Sequence, residues 1–134
     1  MRFPEMAREA LLKHVPESHD ASAVWGRRPG IVWVRWRRPD GHHTSIALRR
    51  HLDWATGEVG LSPEPVDHDK LPLEVGVEFA KPAFRVRLGV LLQQEDRWWP
   101  VGSTTGAIRE CLEDLVLQLR AKLGRLDRRA VTRR

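Results

Sequence analysis

The segment GIVWVRWRRPDGHHTSIALRRHL, residues 30–52, contains two stretches of β-branched, aromatic and arginine residues on either side of a turn. Between them, Pro39 presets its own φ and Gly41 accepts a positive φ, so the four residues around them favour a tight turn. The pattern therefore predicts a β-hairpin. On its first strand, alternate residues face opposite sides of the sheet: Ile31, Trp33, Arg35 and Arg37 on one side, and Val32, Val34, Trp36 and Arg38 on the other.

Further strands are predicted downstream of this hairpin. A second turn is expected at Thr56–Gly57, with a short strand over Glu58–Leu61. The clearest alternation in the chain, AFRVRLGVLL at residues 83–92, predicts a strand that turns at QQED and returns through RWWPV. In that second hairpin we expect Leu91 to lie opposite Trp98. The segment between the first helix and residue 30 is rich in turn-forming residues and is predicted to be a loop.

Two helices are predicted at the ends of the chain. The first spans about Pro4 to Val15, because proline is favoured at a helix start and Pro16 ends the pattern. The second begins after a capping residue among Ser103, Thr104 and Thr105. Its apolar stripe recurs every three or four residues: Ile108, Leu112, Leu115, Leu119, Leu123 and Leu126.

This order of elements predicts the fold class. No two strands are separated by a helical crossover, so the four to five strands should form an antiparallel sheet with both helices on one face. The expected fold is a two-layer α+β domain. We expect one domain over residues 1–126, followed by a flexible basic tail over residues 127–134.

The composition indicates a protein of the cytoplasm. Cys111 is the only cysteine, which excludes an intrachain disulfide and fits a reducing compartment. The N-terminal segment MRFPEMAREALLKHV lacks the apolar run of a signal peptide, and no window is apolar enough to span a bilayer. We therefore expect a soluble cytoplasmic protein without membrane contact.

The charge is divided between blocks. Residues 27–50 carry seven arginines and one acid, a net of +6, whereas residues 53–78 carry seven acids and one lysine, a net of −6. We expect these two blocks to lie side by side and to neutralise each other. Residues 120–134 carry seven basic residues and one acid, which exceeds the whole net charge of +5. Such a tail binds phosphate nonspecifically or complements a helix C-terminus.

No catalytic or cofactor signature is found. His42 and His43 are adjacent on a predicted strand and point to opposite faces, so they cannot chelate one metal ion together. They are expected on the surface, as are His51 and His68. Ser45 lies outside any nucleophile-elbow motif, and the sequence contains no phosphate-cradling glycine loop. We expect no enzyme activity, no metal and no cofactor.

The segment RVRLGVLLQQEDRWW, residues 85–99, resembles a bacterial family of uncharacterised α+β domains of unknown function. Members of that family carry R-x-R-x-G, a short acidic turn and D-x-W-W. The matching residues here are Arg85, Arg87, Gly89, Asp96, Trp98 and Trp99. The resemblance covers about twenty residues and a compatible order of elements. It implies a fold and no activity.

Adjacent strand residues cannot share a face, so the two tryptophans of this motif should point in opposite directions. Trp99 is expected in the core. Trp98 is expected on the arginine face, where it would cover Gly89 and stack on Arg87 by a cation–π contact.

Two classes of function follow. The first is a small non-enzymatic domain that binds another protein through an exposed face containing Arg85, Arg87 and Trp98, or through the proline-rich loop 62–82. The alternative is a nonspecific nucleic-acid-binding protein with weak affinity, in which Trp33 and Trp36 stack on bases. Its phosphate contacts would be Arg35, Arg37, Arg49, Arg128 and Arg129. The sequence leaves the oligomeric state open.

Overall fold

The computed structural model describes residues 2–65, 67–70 and 84–132, and leaves the side chains of residues 70, 84, 85 and 125–132 outside that description. Its helices are α1 (Phe3–His14), α2 (Leu88–Leu91) and α3 (Thr105–Thr132), with short 3₁₀ turns at Pro16–His19 and His68–Lys70. Its strands are β1 (Val24–Arg28), β2 (Ile31–Arg37), β3 (His43–His51), β4 (Trp54–Ser62), β5 (Phe84–Arg87) and β6 (Trp99–Pro100).

The strands form one antiparallel sheet in the order β1-β2-β3-β4-β5, with β6 also paired to β4. The hairpin predicted over residues 30–52 is confirmed as β2 and β3, in the register that pairs Val34 with Ile46. The loop predicted before residue 30 is wrong in part, because Val24–Arg28 forms the edge strand β1. The two-layer α+β fold is confirmed.

Helices α1 and α3 pack on one face of the sheet and on each other. The core between the layers is apolar, as the predicted stripe of α3 requires, and Leu112, Leu115, Leu119 and Leu123 are all buried in it. Thr104 caps α3, since its Oγ1 accepts a hydrogen bond from the backbone N–H of Ala107 at 3.0 Å. The helix continues to Thr132, past the predicted domain boundary at residue 126. Within the described part of the chain, no helix is both long and apolar enough to cross a bilayer.

The turn predicted at Thr56–Gly57 is wrong, because both residues lie inside β4. The actual turn is Leu52–Asp53, with His51 paired to Trp54 on either side of it. Gly57 has a different role, since a Cβ atom there would overlap Cδ1 of Leu119. The glycine lets α3 approach the sheet closely.

The long strand predicted over residues 83–92 is also wrong beyond Arg87. The chain turns there into helix α2, and Trp99 pairs with Ala55 of β4 instead of with the preceding strand. A Cβ atom on Gly89 would overlap the carbonyl oxygen of Glu95 and would lie 2.6 Å from the backbone nitrogen of Arg97. Backbone, and not an indole ring, therefore covers Gly89.

Candidate functional site

The sheet face opposite the helices is largely buried and carries polar side chains beside a small apolar cluster. Six side chains on or above it form a connected set that we call the polar network: Ser45, Arg49, Glu58, His68, Arg87 and Asp96. Strand register brings four of them together. Ser45 and Arg49 lie four residues apart on the same face of β3, and Glu58 pairs directly with Arg87. The 3₁₀ turn adds His68 from above.

Glu58 is the centre of the polar network and is fully buried. Its Oε1 accepts a hydrogen bond from Nε of Arg49 and lies 3.9 Å from Nε of Arg87. Its Oε2 lies 2.8 Å from Nδ1 of His68. Burying a charge is costly unless it is paired. Asp96 supplies a second carboxylate, 2.7 Å from Arg87, so two arginines are balanced by two acids.

His68 joins the 3₁₀ turn to the sheet. Its Nε2 lies 2.6 Å from the hydroxyl of Ser45, and its backbone carbonyl accepts a hydrogen bond from Arg49 at 2.8 Å. A neutral imidazole satisfies both ring contacts when Nδ1–H donates to Glu58 and Nε2 accepts from the hydroxyl. Gly60 leaves the space for this contact, because a Cβ atom there would lie 2.5 Å from Oγ of Ser45. The expectation that His68 lies on the surface is therefore wrong.

The chain of contacts from Ser45 through His68 to Glu58 has the order of a serine hydrolase triad. Two features argue for a structural role instead. Ser45 is only 2% exposed, so its hydroxyl does not meet solvent or substrate. Two guanidinium groups also share Glu58, which weakens its ability to stabilise a protonated imidazole.

Neutralisation of the two charge blocks is confirmed by three ion pairs. Arg49 pairs with Glu58, Arg35 lies 2.7 Å from Asp67, and Arg28 lies 3.9 Å from Asp69. Each pair joins an arginine of residues 27–50 to an acid of residues 53–78. The charge pattern was thus the sequence signal for this buried face, although it did not identify the residues at its centre.

The residues proposed for an exposed Arg/Trp face differ in their placement. Arg87 does lie over the ring of Trp98, with Cζ 5.1 Å from the ring centroid, as the sequence predicts. However, Arg87 is only 2% exposed, so the expectation of an open face at this residue is wrong. Its guanidinium pairs with Asp96 and lies beside the buried Glu58. Arg85 pairs with Gly60 in the sheet, and its side chain lies outside the described residues.

The two tryptophans do differ in their surroundings. Trp99 packs against the hydrophobic core, whereas Trp98 contacts the Arg87 guanidinium. We expect Trp99→Ala to lower the free energy of unfolding by about 3 kcal/mol, since it leaves a cavity. Trp98→Ala should cost about 1 kcal/mol, the scale of a cation–π contact. Urea unfolding of both variants measures the difference, and equal losses would contradict it.

Of the residues proposed for nucleic-acid contact, the three whose side chains the structure describes do not form one exposed surface. Arg49 is buried against Glu58, and Arg35 is partly buried beside Asp67. Arg37 is exposed. The side chains of Arg128 and Arg129 lie outside the described residues. Trp33 and Trp36 are both buried, so neither ring is open for base stacking.

A cleft of about 790 Å³ opens at the end of the sheet where β2 stops. The turn after β2, the segment after α1 and helix α3 form its walls. The lining residues, which define the cleft, are Glu17, Asp20, Ser22, Trp36, Arg37, Arg38, Pro39, Arg120 and Gly124. This volume lies in the usual range for small-molecule sites.

Ion pairs fix two of the three arginines of the cleft. Arg120 lies 2.6 Å from Glu17, and Arg38 lies 3.3 Å from Asp40. The backbone N–H of Ser22 donates to Asp20 and holds the pKa of that carboxyl below its usual value. The backbone N–H of His42 has the same effect on the pKa of Asp40. Both carboxylates are therefore ionised at neutral pH.

The cleft lies near the start of β3, and the end of β3 presents an apolar tip. This tip is formed by Leu52 and Trp54 of the β3–β4 hairpin. Leu52 is 75% exposed and Trp54 is 50% exposed. The turn is anchored, because Nε of Arg50 donates to the carbonyl of Leu52 and the backbone N–H of Val101 donates to that of Asp53, both at 3.0 Å. The sequence does not predict this tip, because its turn signal lies at Thr56–Gly57.

Comparison of the chain with protein-family models, with curated proteins and with solved structures found no match. Among the described residues, no three His, Cys, Asp or Glu side chains are grouped so that they could hold a metal ion. Of the proline-rich loop 62–82, residues 66 and 71–82 lie outside the described residues, so its proposed role stays a prediction.

Proposed function

We propose that this protein is a non-enzymatic binding domain that attaches to another protein through the apolar tip of Leu52 and Trp54. One observation carries the proposal: Leu52 is a large apolar residue, yet its side chain is exposed to solvent and its backbone has a conformation that leucine disfavours. The buried hydroxyl of Ser45 supports a role other than catalysis. The single cysteine supports a cytoplasmic location.

Leu52 has a φ of +54°, in the left-handed region. Asp53 has no positive φ, so the turn resembles the two-residue type that prefers glycine at its first central position. A leucine there costs about 1–2 kcal/mol relative to glycine. Its side chain also stays in water, where it contributes no burial energy. Folding therefore gains nothing from leucine at this position, whereas an interface would.

Trp54 gives the tip its second contact. Tryptophan is enriched at the energetic centres of protein interfaces because it combines a large apolar ring with one hydrogen-bond donor. The anchored turn fixes the backbone from which both side chains project before binding, which reduces the entropy lost in the complex. The partner surface should be an apolar pocket with a hydrogen-bond acceptor at its rim.

A photo-crosslinking amino acid at position 52 should capture the partner from an extract of the producing cells, and the partner can then be purified. We expect Leu52→Asn to weaken its binding by at least about thirtyfold, as for an interface hot spot. The same variant should keep or raise the free energy of unfolding, because asparagine tolerates positive φ. Calorimetric titration and urea unfolding measure the two quantities.

Leu117 provides the matched control, since it is an equally apolar residue, 50% exposed, on helix α3. Leu117→Gln should leave binding unchanged. Two results would contradict the proposal: a captured partner that binds Leu52→Asn as tightly as the parent, or a large loss of stability in that variant. Binding to phosphatidylcholine vesicles that Leu52→Asn abolishes would identify a membrane surface instead, and would also contradict it.

A further inference from the structure

We propose that the cleft binds a small organic phosphate whose scaffold carries hydroxyl groups, such as a sugar phosphate or a nucleoside monophosphate. The cleft and the apolar tip lie at opposite ends of β3, so this site is independent of the proposed protein contact. Its ligand class follows from the charges that two separate elements bring to one cavity.

Arginines from both walls supply the anion-binding groups. Arg37 and Arg38 come from the end of β2, and Arg120 comes from helix α3. A guanidinium carries five N–H donors in a fixed plane, so the Glu17 carboxylate leaves several donors of Arg120 for a phosphate. Glu17 and Asp40 hold Arg120 and Arg38 in place before any ligand arrives. Among the described residues, no carboxylate forms an ion pair with Arg37.

The acids of the cleft indicate what the phosphate is attached to. Glu17 and Asp20 also line the cavity, and the three arginines leave a net charge of only +1. A bare polyanion would be repelled by these carboxylates, whereas hydroxyl groups would donate hydrogen bonds to them. Ser22 adds a hydroxyl to the same wall. The site therefore suits a molecule with an anionic end and a hydroxylated end.

The cavity also has room and apolar surface for such a scaffold. Trp36 and Pro39 offer apolar atoms on one side. On the other side, Gly124 leaves the helix wall bare, and a Cβ atom there would meet nothing within 4 Å. A polynucleotide fits less well, because the tryptophans of the first hairpin are buried and cannot stack on bases.

Isothermal titration at constant ionic strength tests this assignment with ribose 5-phosphate, adenosine monophosphate, adenosine and a single-stranded decanucleotide. We expect one of the two phosphates to bind saturably and adenosine not to bind. The Arg38→Gln and Arg120→Gln variants should each weaken binding by about tenfold or more, the loss of one charge-assisted contact. Arg109→Gln is the matched control, because Arg109 lies on the same helix α3 without lining the cleft.

Three outcomes would overturn the proposal. The first is an absence of saturable binding up to about 10 mM phosphate ligand. The second is binding that Arg38→Gln and Arg120→Gln leave unchanged. The third is tighter binding of the decanucleotide that depends on Arg128 and Arg129, which would assign anion binding to the basic tail. Leu52→Asn should not affect phosphate binding. Failure of the phosphate-site proposal can therefore be distinguished from failure of the proposed protein contact.

Discussion

We expect Glu58→Ala to lower the free energy of unfolding by about 3–5 kcal/mol, because removing one partner of a buried ion pair leaves uncompensated charge. Glu58 accepts from Arg49 and His68 and lies beside Arg87, and all four side chains are buried. The substitution would leave two guanidinium groups with only Asp96 to balance them. It would also remove the contact between Glu58 and His68, one of those that join the 3₁₀ turn at His68–Lys70 to the sheet.

Urea unfolding with a tryptophan fluorescence readout measures this loss. Glu58→Gln should cost nearly as much, since its amide nitrogen would face arginine donors. Glu64→Ala is the control, because Glu64 is exposed just beyond β4 and its removal should change stability by less than about 0.5 kcal/mol. A loss below about 1 kcal/mol for Glu58→Ala would show that water reaches the arginines, and the polar network would then be a surface feature.

Ser45→Ala should behave differently from Glu58→Ala within the same network. It removes a hydrogen-bond partner of His68 without creating a buried charge, so we expect a loss of about 1 kcal/mol. The contrast between the two variants follows from the central position of Glu58, which contacts several partners while Ser45 contacts one imidazole.

The parts of the fold that the sequence predicts correctly are those with local causes. The β2–β3 hairpin follows from alternation on both sides of Pro39 and Gly41, and α3 follows from its leucine stripe and its threonine cap. These signals lie within a few residues of the structure they produce. The pairing of the two charge blocks was also predictable, because opposite charge attracts whatever the detailed topology.

The errors arise where a residue serves a contact distant in sequence. Gly57 resembles a turn residue but instead makes room for Leu119 on a helix. Gly89 lies in a strand-like pattern but makes room for the backbone of residues 95–97. His68 lies in a polar, proline-rich segment, and only the folded sheet brings Glu58 and Ser45 to its two ring nitrogens. The apolar tip was missed for a different reason, since a leucine gives no local sign of a turn.

Strand β1 was missed because Gly26 interrupts its alternation, and the reason for that glycine is Trp33. The two residues pair across β1 and β2, and a Cβ atom on Gly26 would overlap the indole of Trp33. The ring is buried and lies 6.0 Å from the ring of His68, so it joins the edge strand to the polar network. Gly26 therefore leaves room for the ring of Trp33 to lie over strand β1.

This contact predicts a strong coupling between the two positions. Gly26→Ala should destabilise the protein by about 1–3 kcal/mol through overpacking. Trp33→Ala should cost about 3–5 kcal/mol through the cavity it creates. The double variant should lose less than the sum, because removing the indole removes the overlap and the added methyl group fills part of the cavity. Urea unfolding of all four proteins gives the coupling energy.

Gly124→Ala is the matched control, because a Cβ atom at this helical position meets nothing and alanine is the better helix former. It should raise stability by about 0.5–1 kcal/mol in the parent and in Trp33→Ala alike. If Gly26→Ala were equally harmless in the parent, β1 would not pack under the indole. Additive losses at Gly26 and Trp33 would lead to the same conclusion, and the edge strand would then be held by its backbone hydrogen bonds alone.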